Sequence, residues 1–534
     1  MEIEIERLAN NGKGVGKAPD GKTVFVSGAV PGDRLRVTVT AERSRFYEAE
    51  ILGIIEQSAD RIPVDCPELE RCGGCCFRQM TYEAELEAKT GFVRDAFRRI
   101  GGFDELPIEP IIASPQTEAY RNKAEFAVGT DADGKLFAGF YSERTHRVIP
   151  VPSCRIVPEE FLKITEYFVN VLNLKENISA DIIHHLVVRR SGLTGEIMLI
   201  IVCASDGFPG DKEAVEKFRE MFPSVTSVIL NINPDPKGPV LGSKNRVLSG
   251  TGLIRDQICG VPVEIGPLSF FQVNTPAAES LYQTAAEFAQ VRPDDVVLDL
   301  YCGMGTIGLS MAANCRQLIG GEIIPEAVES AKRNSAAMGL KNTRFLCGDA
   351  AEIAETLICE HIHPTLIILD PPRKGCSPET LKAVQTLTPD RIVMVSCDPA
   401  TAARDCRILS DAGYTLTRLR PADFFPRTRH VETVCLLSKL HESKHHVNVK
   451  VDMDELDLTS AEAKATYKEI EEWVQEHYGF HVTNLNIAQV KQKHGIIERE
   501  NYNKPKSENS RQPGCPEEKV KAIEDAMRHF QMIQ

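Results

Sequence analysis

The sequence predicts a multidomain α/β protein with an N-terminal small β-barrel, an α+β central domain, a doubly wound, mostly parallel sheet and a short C-terminal helical extension. Short alternating runs separated by Gly, Pro and Asp turns predict the barrel. Strands that alternate with helical stretches predict the doubly wound sheet. A chain of 534 residues is also too long to fold around one hydrophobic core of ordinary size. The predicted boundaries are 1–58, 59–265, 266–440 and 441–534.

Composition restricts the class of protein. The hydrophobic content of 42% and the charged content of 26% are typical of a globular protein in water. No apolar run approaches the ~20 residues needed to cross a bilayer, and the start MEIEIERLAN lacks the features of a secretory signal, so we expect a cytoplasmic protein without a membrane partner. The formal net charge of −14 argues against coating nucleic acid by bulk electrostatics, but it leaves a local basic groove open.

The central segment is predicted to be an α+β unit. Its strand-like runs HHLVVRR, EIMLIIVC and SVILNIN predict an antiparallel sheet, preceded by a helix from Thr81 to Arg99. The stretch YRNKAEF carries Arg121 and Lys123, whose cations are suited to phosphate contacts. For Phe126, stacking on a base and packing in a core are equally open.

A cysteine cluster opens the same segment. The chain has sixteen cysteines, and in a cytosolic protein clustered cysteines indicate metal ligands or nucleophiles rather than disulfides. Cys66, Cys72 and Cys75 follow a C-x5-C-x2-C spacing, which is one thiolate short of the usual four. Cys76 is adjacent to Cys75 and geometrically awkward, so Cys154 is the better fourth candidate. From spacing alone, zinc and iron–sulfur both remain open.

A glycine turn indicates a cofactor site in the doubly wound region. Gly303, Gly305 and Gly308 form G-x-G-x-x-G between the strand VVLDL and a helix, which is typical of a nucleotide-binding turn but does not separate NAD from S-adenosylmethionine. Glu322 ends the next strand, where a carboxylate can accept hydrogen bonds from ribose hydroxyls. Asp349 ends the third strand, within reach of an adenine amino group. An acid after each of these strands favours S-adenosylmethionine.

The next two strands carry candidate reactive groups. The fourth ends LDPPRKG, with Asp370 first and Arg373 where an aromatic residue would favour methylation of an exocyclic amine. The fifth ends VSCDPAT, which places Cys397 on the edge where such sheets bind ligands. A thiolate that adds to carbon 6 of uracil activates carbon 5 toward a methyl group, and a base must then remove the carbon 5 proton. Glu432, at the start of a later apolar run, is the candidate base.

Residues 265–437 resemble the RNA 5-methyluridine methyltransferases through SFFQVNT, DLYCGMGTIGL, LDPPRKG, VSCDPAT and HVET. The stretch GKGVGKAPDGKTVFVSGAVPGD resembles a TRAM domain, an OB-like barrel that carries RNA to modifying enzymes. The resemblance implies that Cys397 is the nucleophile and Glu432 the proton-abstracting base. It implies that S-adenosylmethionine is bound by Gln272, Tyr301, Gly303, Gly305, Glu322, Asp349 and Asp370.

The cysteine arrangement resembles that of the large 23S rRNA uridine methyltransferases. This resemblance implies a 4Fe-4S cluster on Cys66, Cys72, Cys75 and Cys154, with a structural or RNA-positioning role. It also implies an RNA path along Arg121 and Lys123.

We therefore expect a monomeric S-adenosylmethionine-dependent RNA uracil-C5 methyltransferase that acts on 23S rRNA. The alternatives are the same chemistry on a tRNA uridine, or a non-catalytic RNA-binding or ribosome-assembly protein. The presence of both Cys397 and Glu432 disfavours the last of these. The resemblance says nothing about 441–534, where the sequence predicts an amphipathic helix capped at Thr459 and ending at Gly479.

Overall fold

The computed structural model describes residues 1–439, apart from 143, 144, 146, 176 and 236, and residues 467–494, 515–530, 532 and 533. The chain divides into two compact units, Met1–His441 and Glu442–Gln534.

The N-terminal strands close into a small barrel in the order β1-β2-β3-β5-β4, which confirms the predicted barrel. They are β1 (Glu2–Leu8), β2 (Gly14–Lys17), β3 (Thr23–Val26), β4 (Arg34–Glu42) and β5 (Phe46–Glu56). Alternate side chains such as Ile5, Val24 and Leu35 fill the interior, as the pleat of a half-buried strand requires. Gly16 permits the β1–β2 contact, since a Cβ there would lie 2.4 Å from the Glu4 carbonyl oxygen.

Helix α1 (Tyr82–Arg99) matches the helix predicted over Thr81 to Arg99. Thr81 is the N-cap, and its hydroxyl accepts a hydrogen bond from the Ala84 N–H group. The buried face of α1 includes Glu85 and Lys89 as well as apolar residues. The hydrophobic pattern alone gave no indication of these two buried charges.

The central domain is built on a seven-stranded sheet in the order β12-β11-β10-β9-β6-β7-β8. Its elements are β6 (Lys123–Thr130), β7 (Leu136–Tyr141), β8 (Val148–Pro150), α2 (Glu159–Asn173), β9 (Ile183–Arg190), β10 (Ile197–Cys203), α3 (Asp211–Met221), β11 (Val225–Ile232) and β12 (Lys244–Ser249). The expected antiparallel pairing holds except between β10 and β11, which run parallel because α3 crosses between them. A hairpin of β13 (Ile254–Ile258) and β14 (Val261–Ile265) follows.

The doubly wound sheet has the order β17-β16-β15-β18-β19-β21-β20, and its Rossmann-like fold confirms the prediction. Its elements are α4 (Thr275–Ala289), β15 (Val296–Leu300), α5 (Thr306–Met311), a 3₁₀ turn (Ala312–Asn314), β16 (Gln317–Glu322), α6 (Pro325–Ala337), β17 (Thr343–Cys347), α7 (Ala350–Cys359), β18 (Leu366–Leu369), α8 (Pro378–Leu387), β19 (Arg391–Ser396), α9 (Pro399–Asp411), β20 (Tyr414–Ala422) and β21 (Glu432–Lys439). Strand β21 runs antiparallel to β19 and β20, and the other pairs are parallel. Strands β15, β18 and β19 are buried on both faces, as helices on either side of a parallel sheet require.

The C-terminal unit contains α10 (Tyr467–Tyr478), α11 (Asn484–Lys493) and α12 (Glu517–His529) in its described part. These helices share a core of their own that includes Ile470, Val474 and Ile523. The predicted helix end at Gly479 agrees with the structure, where this glycine has φ +74° after α10. The predicted cap at Thr459 lies outside the described residues. Among the described helices, none is long and apolar enough to span a bilayer.

Candidate active site

The strand ends bring the predicted nucleophile and base together. Strands β18 and β19 are parallel, so Asp370 and Cys397, which follow them directly, lie at the same edge of the sheet. Strand β21 begins at this edge, and its Thr433 pairs with Ser396 of β19. Cys397 and Glu432 are the next residues beyond that antiparallel pair and therefore face each other.

The charges at this edge perturb one another. Burial, followed by the Glu432 carboxylate, raises the pKa of the Cys397 thiol to about 11, whereas Arg373 acts in the opposite direction. Burial, together with Asp370, raises the pKa of Glu432 to about 8. Burial also raises the pKa of Asp370 to about 7. Without a bound cation, the Cys397 thiol and Glu432 are therefore mostly protonated at neutral pH, and Asp370 is divided about equally between its two forms.

The glycine turn needs its glycines for two different reasons. Gly303 and Gly305 have φ values of +55° and +79°, a region that side chains disfavour. Gly308 is required by close packing, because a Cβ there would lie 2.7 Å from Oδ2 of Asp299. The Gly308 N–H group donates to this same oxygen at 2.9 Å. The turn therefore exposes backbone at the end of β15, as a nucleotide-binding turn must.

Two further predicted cofactor residues follow the next strands. Glu322 accepts hydrogen bonds from the N–H groups of Gly303 at 3.0 Å and Ile324 at 2.9 Å, so its carboxylate is fixed beside the glycine turn. Asp349 caps α7 and accepts a hydrogen bond from the Ala351 N–H group at 2.9 Å. Both acids lie at the carboxyl ends of strands, where the sequence placed them.

A small cavity of about 50 Å³ lies at this edge of the sheet. The predicted cofactor residues that line it are Gln272, Tyr301, Gly303 and Asp370. Tyr282 also lines the cavity, and its hydroxyl oxygen accepts a hydrogen bond from the Gln272 amide at 3.3 Å.

Sequence reasoning missed two residues of this region, Tyr282 and Asp299. Burial raises the pKa of Asp299 to about 8. The sequence did contain a signal for this residue, because Asp299 is a lone acid inside the apolar strand VVLDL. Tyr282 gave no comparable signal, because its spacing on α4 is that of a core residue.

The four predicted cysteine ligands line a second cavity of about 440 Å³. These are Cys66, Cys72, Cys75 and Cys154. Burial, with the neighbouring Cys154, raises the pKa of Cys75 to about 12. Within the described part of the chain, no three His, Cys, Asp or Glu side chains form a group that could hold a metal ion. Cys76 packs elsewhere, since a Cβ on Gly12 of the barrel would lie 3.1 Å from its Sγ atom.

The predicted RNA contacts, Arg121 and Lys123, line the same cavity. Lys123 forms an ion pair with Glu125 at 2.6 Å. The Nε atom of Arg121 is buried and has no hydrogen-bond partner among the described residues. Phe126 is buried and stacks on Phe140 with ring centroids 5.0 Å apart, so it belongs to the core.

The loop 423–431 leads directly into Glu432 and is anchored by α1. The buried Lys89 ammonium donates to Asp423 at 2.6 Å and to Glu85 at 2.8 Å. Glu85 also accepts a hydrogen bond from the Arg427 N–H group at 2.6 Å. This network of buried charges fixes the loop before the candidate base.

Comparisons with known proteins agree with this geometry. Residues 263–440 match the sequence profile of the tRNA (Uracil-5-)-methyltransferase family, and residues 1–52 match the TRAM domain. A Halalkalibacterium halodurans protein named an uncharacterized RNA methyltransferase is 37% identical over 443 residues, which cover 82% of this chain and 96% of the relative. A relative from Bacillus cereus with the same description is 34% identical and covers 83% of this chain and 97% of its own length.

A solved structure matches over a similar extent. The Pyrococcus abyssi tRNA (uracil-54, C5)-methyltransferase, crystallised in complex with S-adenosyl-L-homocysteine, superimposes with a TM-score of 0.64 and 25% sequence identity. The match covers 82% of this chain and all of the neighbour's chain.

Proposed function

Because this chain belongs to the S-adenosylmethionine-dependent RNA uracil-5-methyltransferase family, we propose that it methylates carbon 5 of a uridine in 23S rRNA through a covalent adduct on Cys397. The observation that carries the proposed mechanism is the pairing of β19 with β21, which sets Cys397 opposite Glu432. Both residues lie beside Asp370, which lines the small cavity next to the glycine turn.

The residues divide the reaction between them. The Cys397 thiol loses its proton to solvent and its sulfur bonds to carbon 6 of uracil, which makes carbon 5 nucleophilic. When bound, the cofactor supplies a methyl group on a positively charged sulfonium, and the methyl bond to sulfur breaks as the bond to carbon 5 forms. Glu432 then takes the proton from carbon 5, and the bond between Cys397 and carbon 6 breaks to release the thiolate.

The donor set supports the proposed place of the cofactor in the site. Gln272, Tyr301 and Gly303 line the cavity beside the exposed backbone of the turn. Glu322, already held against the turn, is suited to accept hydrogen bonds from ribose hydroxyls. The structural neighbour, whose match covers 82% of this chain, was crystallised with S-adenosyl-L-homocysteine, which supports the same assignment here.

We also propose that Cys66, Cys72, Cys75 and Cys154 hold a 4Fe-4S cluster. The support is that four thiols surround one cavity, as a four-cysteine cluster requires. All sixteen cysteines are free thiols, in keeping with a reducing, cytosolic location.

Cluster content can be tested on protein purified without oxygen. The wild-type chain is expected to contain about four iron and four sulfide per chain and to absorb broadly in the visible range. Cys72→Ser should lose both iron and colour. Cys76→Ser is the matched control, because Cys76 is adjacent in sequence to a proposed ligand but does not line the cavity. Recovery of zinc instead of iron would refute the cluster.

Tritium release tests the reaction and its substrate together. Protein-free 23S rRNA and tRNA, both labelled with tritium at uracil carbon 5, are incubated with S-adenosylmethionine and either the wild-type chain or Cys397→Ala. We expect release from 23S rRNA that Cys397→Ala abolishes and Cys347→Ala, an exposed cysteine on β17, retains. Release from tRNA alone would establish the second candidate substrate, which the Pyrococcus abyssi neighbour favours. Release from neither RNA would support a non-catalytic RNA-binding protein.

The base is tested by trapping the intermediate. Glu432→Gln should form the adduct and methylate it but fail to remove the carbon 5 proton. A covalent protein–RNA complex that survives denaturing electrophoresis should therefore accumulate with Glu432→Gln. The double variant that also carries Cys397→Ala should form no such complex. A complex in that lane would show that Cys397 is not the nucleophile.

The monomeric state expected from the sequence stays a prediction.

A further inference from the structure

Residues 119–123, which we call the bridging segment, contact the cofactor side of the site. The side-chain amide of Asn122 donates to the backbone carbonyl oxygen of Gln272 at 2.7 Å and to the side-chain hydroxyl of Thr275 at 3.0 Å. The Asn122 backbone N–H group donates to the Val273 carbonyl oxygen at 2.8 Å. Three hydrogen bonds from one residue therefore fix the stretch that carries Gln272 into the cofactor cavity.

The opposite side of the bridging segment contacts the cysteine cavity. The N–H groups of Ala119 and Arg121 donate to the carbonyl oxygens of Arg155 at 2.7 Å and Ile156 at 3.1 Å. Both acceptors directly follow Cys154 in sequence. The side chain of Arg121 lines this cavity.

The bridging segment also reaches the loop before the catalytic base. The Tyr120 hydroxyl donates to the Pro426 carbonyl oxygen at 3.1 Å, and the tyrosine is buried. One short stretch of backbone therefore contacts the cysteine cavity, the loop 423–431 and the Gln272 segment. A displacement of this stretch cannot leave all three partners unchanged, because each bond is short and the surroundings are packed.

A second clamp holds the start of the Gln272 segment. The buried guanidinium of Arg189, on β9, donates to the carbonyl oxygens of Gly266 at 2.5 Å and Ser269 at 2.6 Å. The segment 266–275 is thus fixed near both ends by the central domain. The Asn122 end is the one that adjoins Gln272, and it is the one flanked by the candidate RNA contacts Arg121 and Lys123.

We propose that Asn122 is a positioning residue: it sets Gln272 for the cofactor and links RNA engagement at Arg121 and Lys123 to cofactor affinity. The inference rests on the proposed function, since it takes S-adenosylmethionine as the cofactor. Binding energies between two sites are reciprocal, so RNA that orders the bridging segment tightens cofactor binding by the same factor by which cofactor tightens RNA binding. Asn122 acts through Gln272 and touches no reacting atom.

Calorimetric titration with S-adenosylhomocysteine tests the positioning role without relying on activity. Asn122→Ala is expected to weaken binding about tenfold, as the loss of two hydrogen bonds implies. Asn231→Ala is the control, since Asn231 lies in the same domain and its amide likewise donates to a backbone carbonyl oxygen, of Gly242, and to a side chain, of Asn245, but not to the Gln272 segment. The control should lower the unfolding temperature and leave the affinity unchanged.

Thr275 provides a second test that leaves Asn122 in place. Thr275→Val keeps the side-chain shape but removes the oxygen that accepts from Asn122, whereas Thr275→Ser keeps that oxygen. We expect weaker S-adenosylhomocysteine binding by Thr275→Val, several-fold in size, and wild-type binding by Thr275→Ser. Equal affinities for the two variants would overturn the positioning role even if Asn122→Ala fails to fold.

The linkage to RNA is tested by repeating each titration with a saturating transcript of the RNA, 23S rRNA or tRNA, from which the wild-type chain releases tritium. In the wild-type chain the RNA should tighten S-adenosylhomocysteine binding, and in Thr275→Val this gain should shrink. An RNA effect that is absent in the wild type, or equal in both proteins, would overturn the linkage. Failure of the wild-type chain to bind S-adenosylhomocysteine at all is a different result, because it would refute the proposed function itself.

Discussion

The reactivity of Cys397 offers a direct check on the geometry of the site. Glu432 faces this thiol, and its carboxylate is the second cause, after burial, of a thiol pKa of about 11. The Glu432 carboxyl is ionised above its pKa of about 8, where Glu432→Gln removes the negative charge and should lower the pKa of Cys397. Arg373→Gln removes a positive charge that acts in the opposite direction and should raise it. The two substitutions should therefore shift the pKa of Cys397 in opposite directions from its wild-type value. The sign of each shift identifies the charge that faces the thiol.

The size of the effect follows from the fraction of thiolate. A thiol with the ordinary pKa of 9.0 is about one-tenth ionised at pH 8, and a thiol with a pKa of about 11 is about one-thousandth ionised. Since only the thiolate reacts with iodoacetamide, Cys397 of the wild type should react about 100-fold more slowly than a thiol of ordinary pKa. Cys397 should react faster in Glu432→Gln than in the wild type, and more slowly in Arg373→Gln.

Site-resolved alkylation measures these rates. The cofactor-free protein is exposed to iodoacetamide between pH 7 and 10, and the modification of the Cys397 peptide is followed by mass spectrometry. The same peptide in denaturant corrects for intrinsic reactivity. The buried Cys406, on α9 of the same domain, reacts only if the fold loosens and therefore reports any general loosening. If Glu432→Gln reacted no faster than the wild type while Cys406 stayed unreactive in both proteins, Glu432 would not face the thiol and the assignment of the base would fail.

Three further substitutions probe the supporting structure. Gly308→Ala should weaken S-adenosylhomocysteine binding at least tenfold by calorimetry, because its Cβ would lie 2.7 Å from Asp299; unchanged affinity would contradict the required close packing. Burial raises the pKa of Asp299 from 3.8 to about 8, so the folded state retains a proton that the unfolded state releases. The stability that this proton contributes to the folded state falls as the pH rises and is lost as the pH rises through 8. Asp299→Asn should therefore flatten the fall in the free energy of unfolding between pH 5 and 8, measured in urea, by a few kcal/mol; an equal slope would refute the shift. Lys89→Met removes the cation that the buried Glu85 and Asp423 share and should cost about 3–5 kcal/mol in the same assay, whereas a loss below 1 kcal/mol would contradict the buried network.

The fold was predictable where local pattern and burial coincide. Strands β15, β18 and β19 are continuous apolar runs buried on both faces, and glycine turns or acids mark their ends. Strand β20 was missed, because a bulge between Leu416 and Arg418 breaks its alternation and Pro421 argues against a strand interior. The helices α11 and α12 were missed because their amphipathic faces are short and a polar stretch separates them.

The site was predictable to the extent that its residues sit at strand ends. Cys397 and Asp370 could be placed there because each follows a predicted strand. The antiparallel return of β21, which brings Glu432 opposite Cys397, is a long-range pairing that periodicity cannot reveal. The buried Lys89 could not be predicted either, since its partner Asp423 lies 334 residues away in sequence.

The loop 423–431, which leads into Glu432, connects the cysteine region to the proposed base through hydrogen bonds. This connection requires no redox step. The N–H groups of Cys76 and Phe77 donate to the Arg427 carbonyl oxygen at 2.9 Å and 3.2 Å. Cys76 directly follows Cys75, a proposed cluster ligand, and Arg427 lies five residues before Glu432 with a left-handed φ of +69°. That conformation is costly for a residue with a side chain and persists only where the surroundings impose it. A backbone fixed at Cys75 therefore helps to hold Arg427, and through it the loop that leads to the proposed base, Glu432. On this argument, substitution of a cluster ligand reduces methylation by displacing Glu432, and the rate should not depend on the oxidation state of the cluster as long as the cluster remains intact.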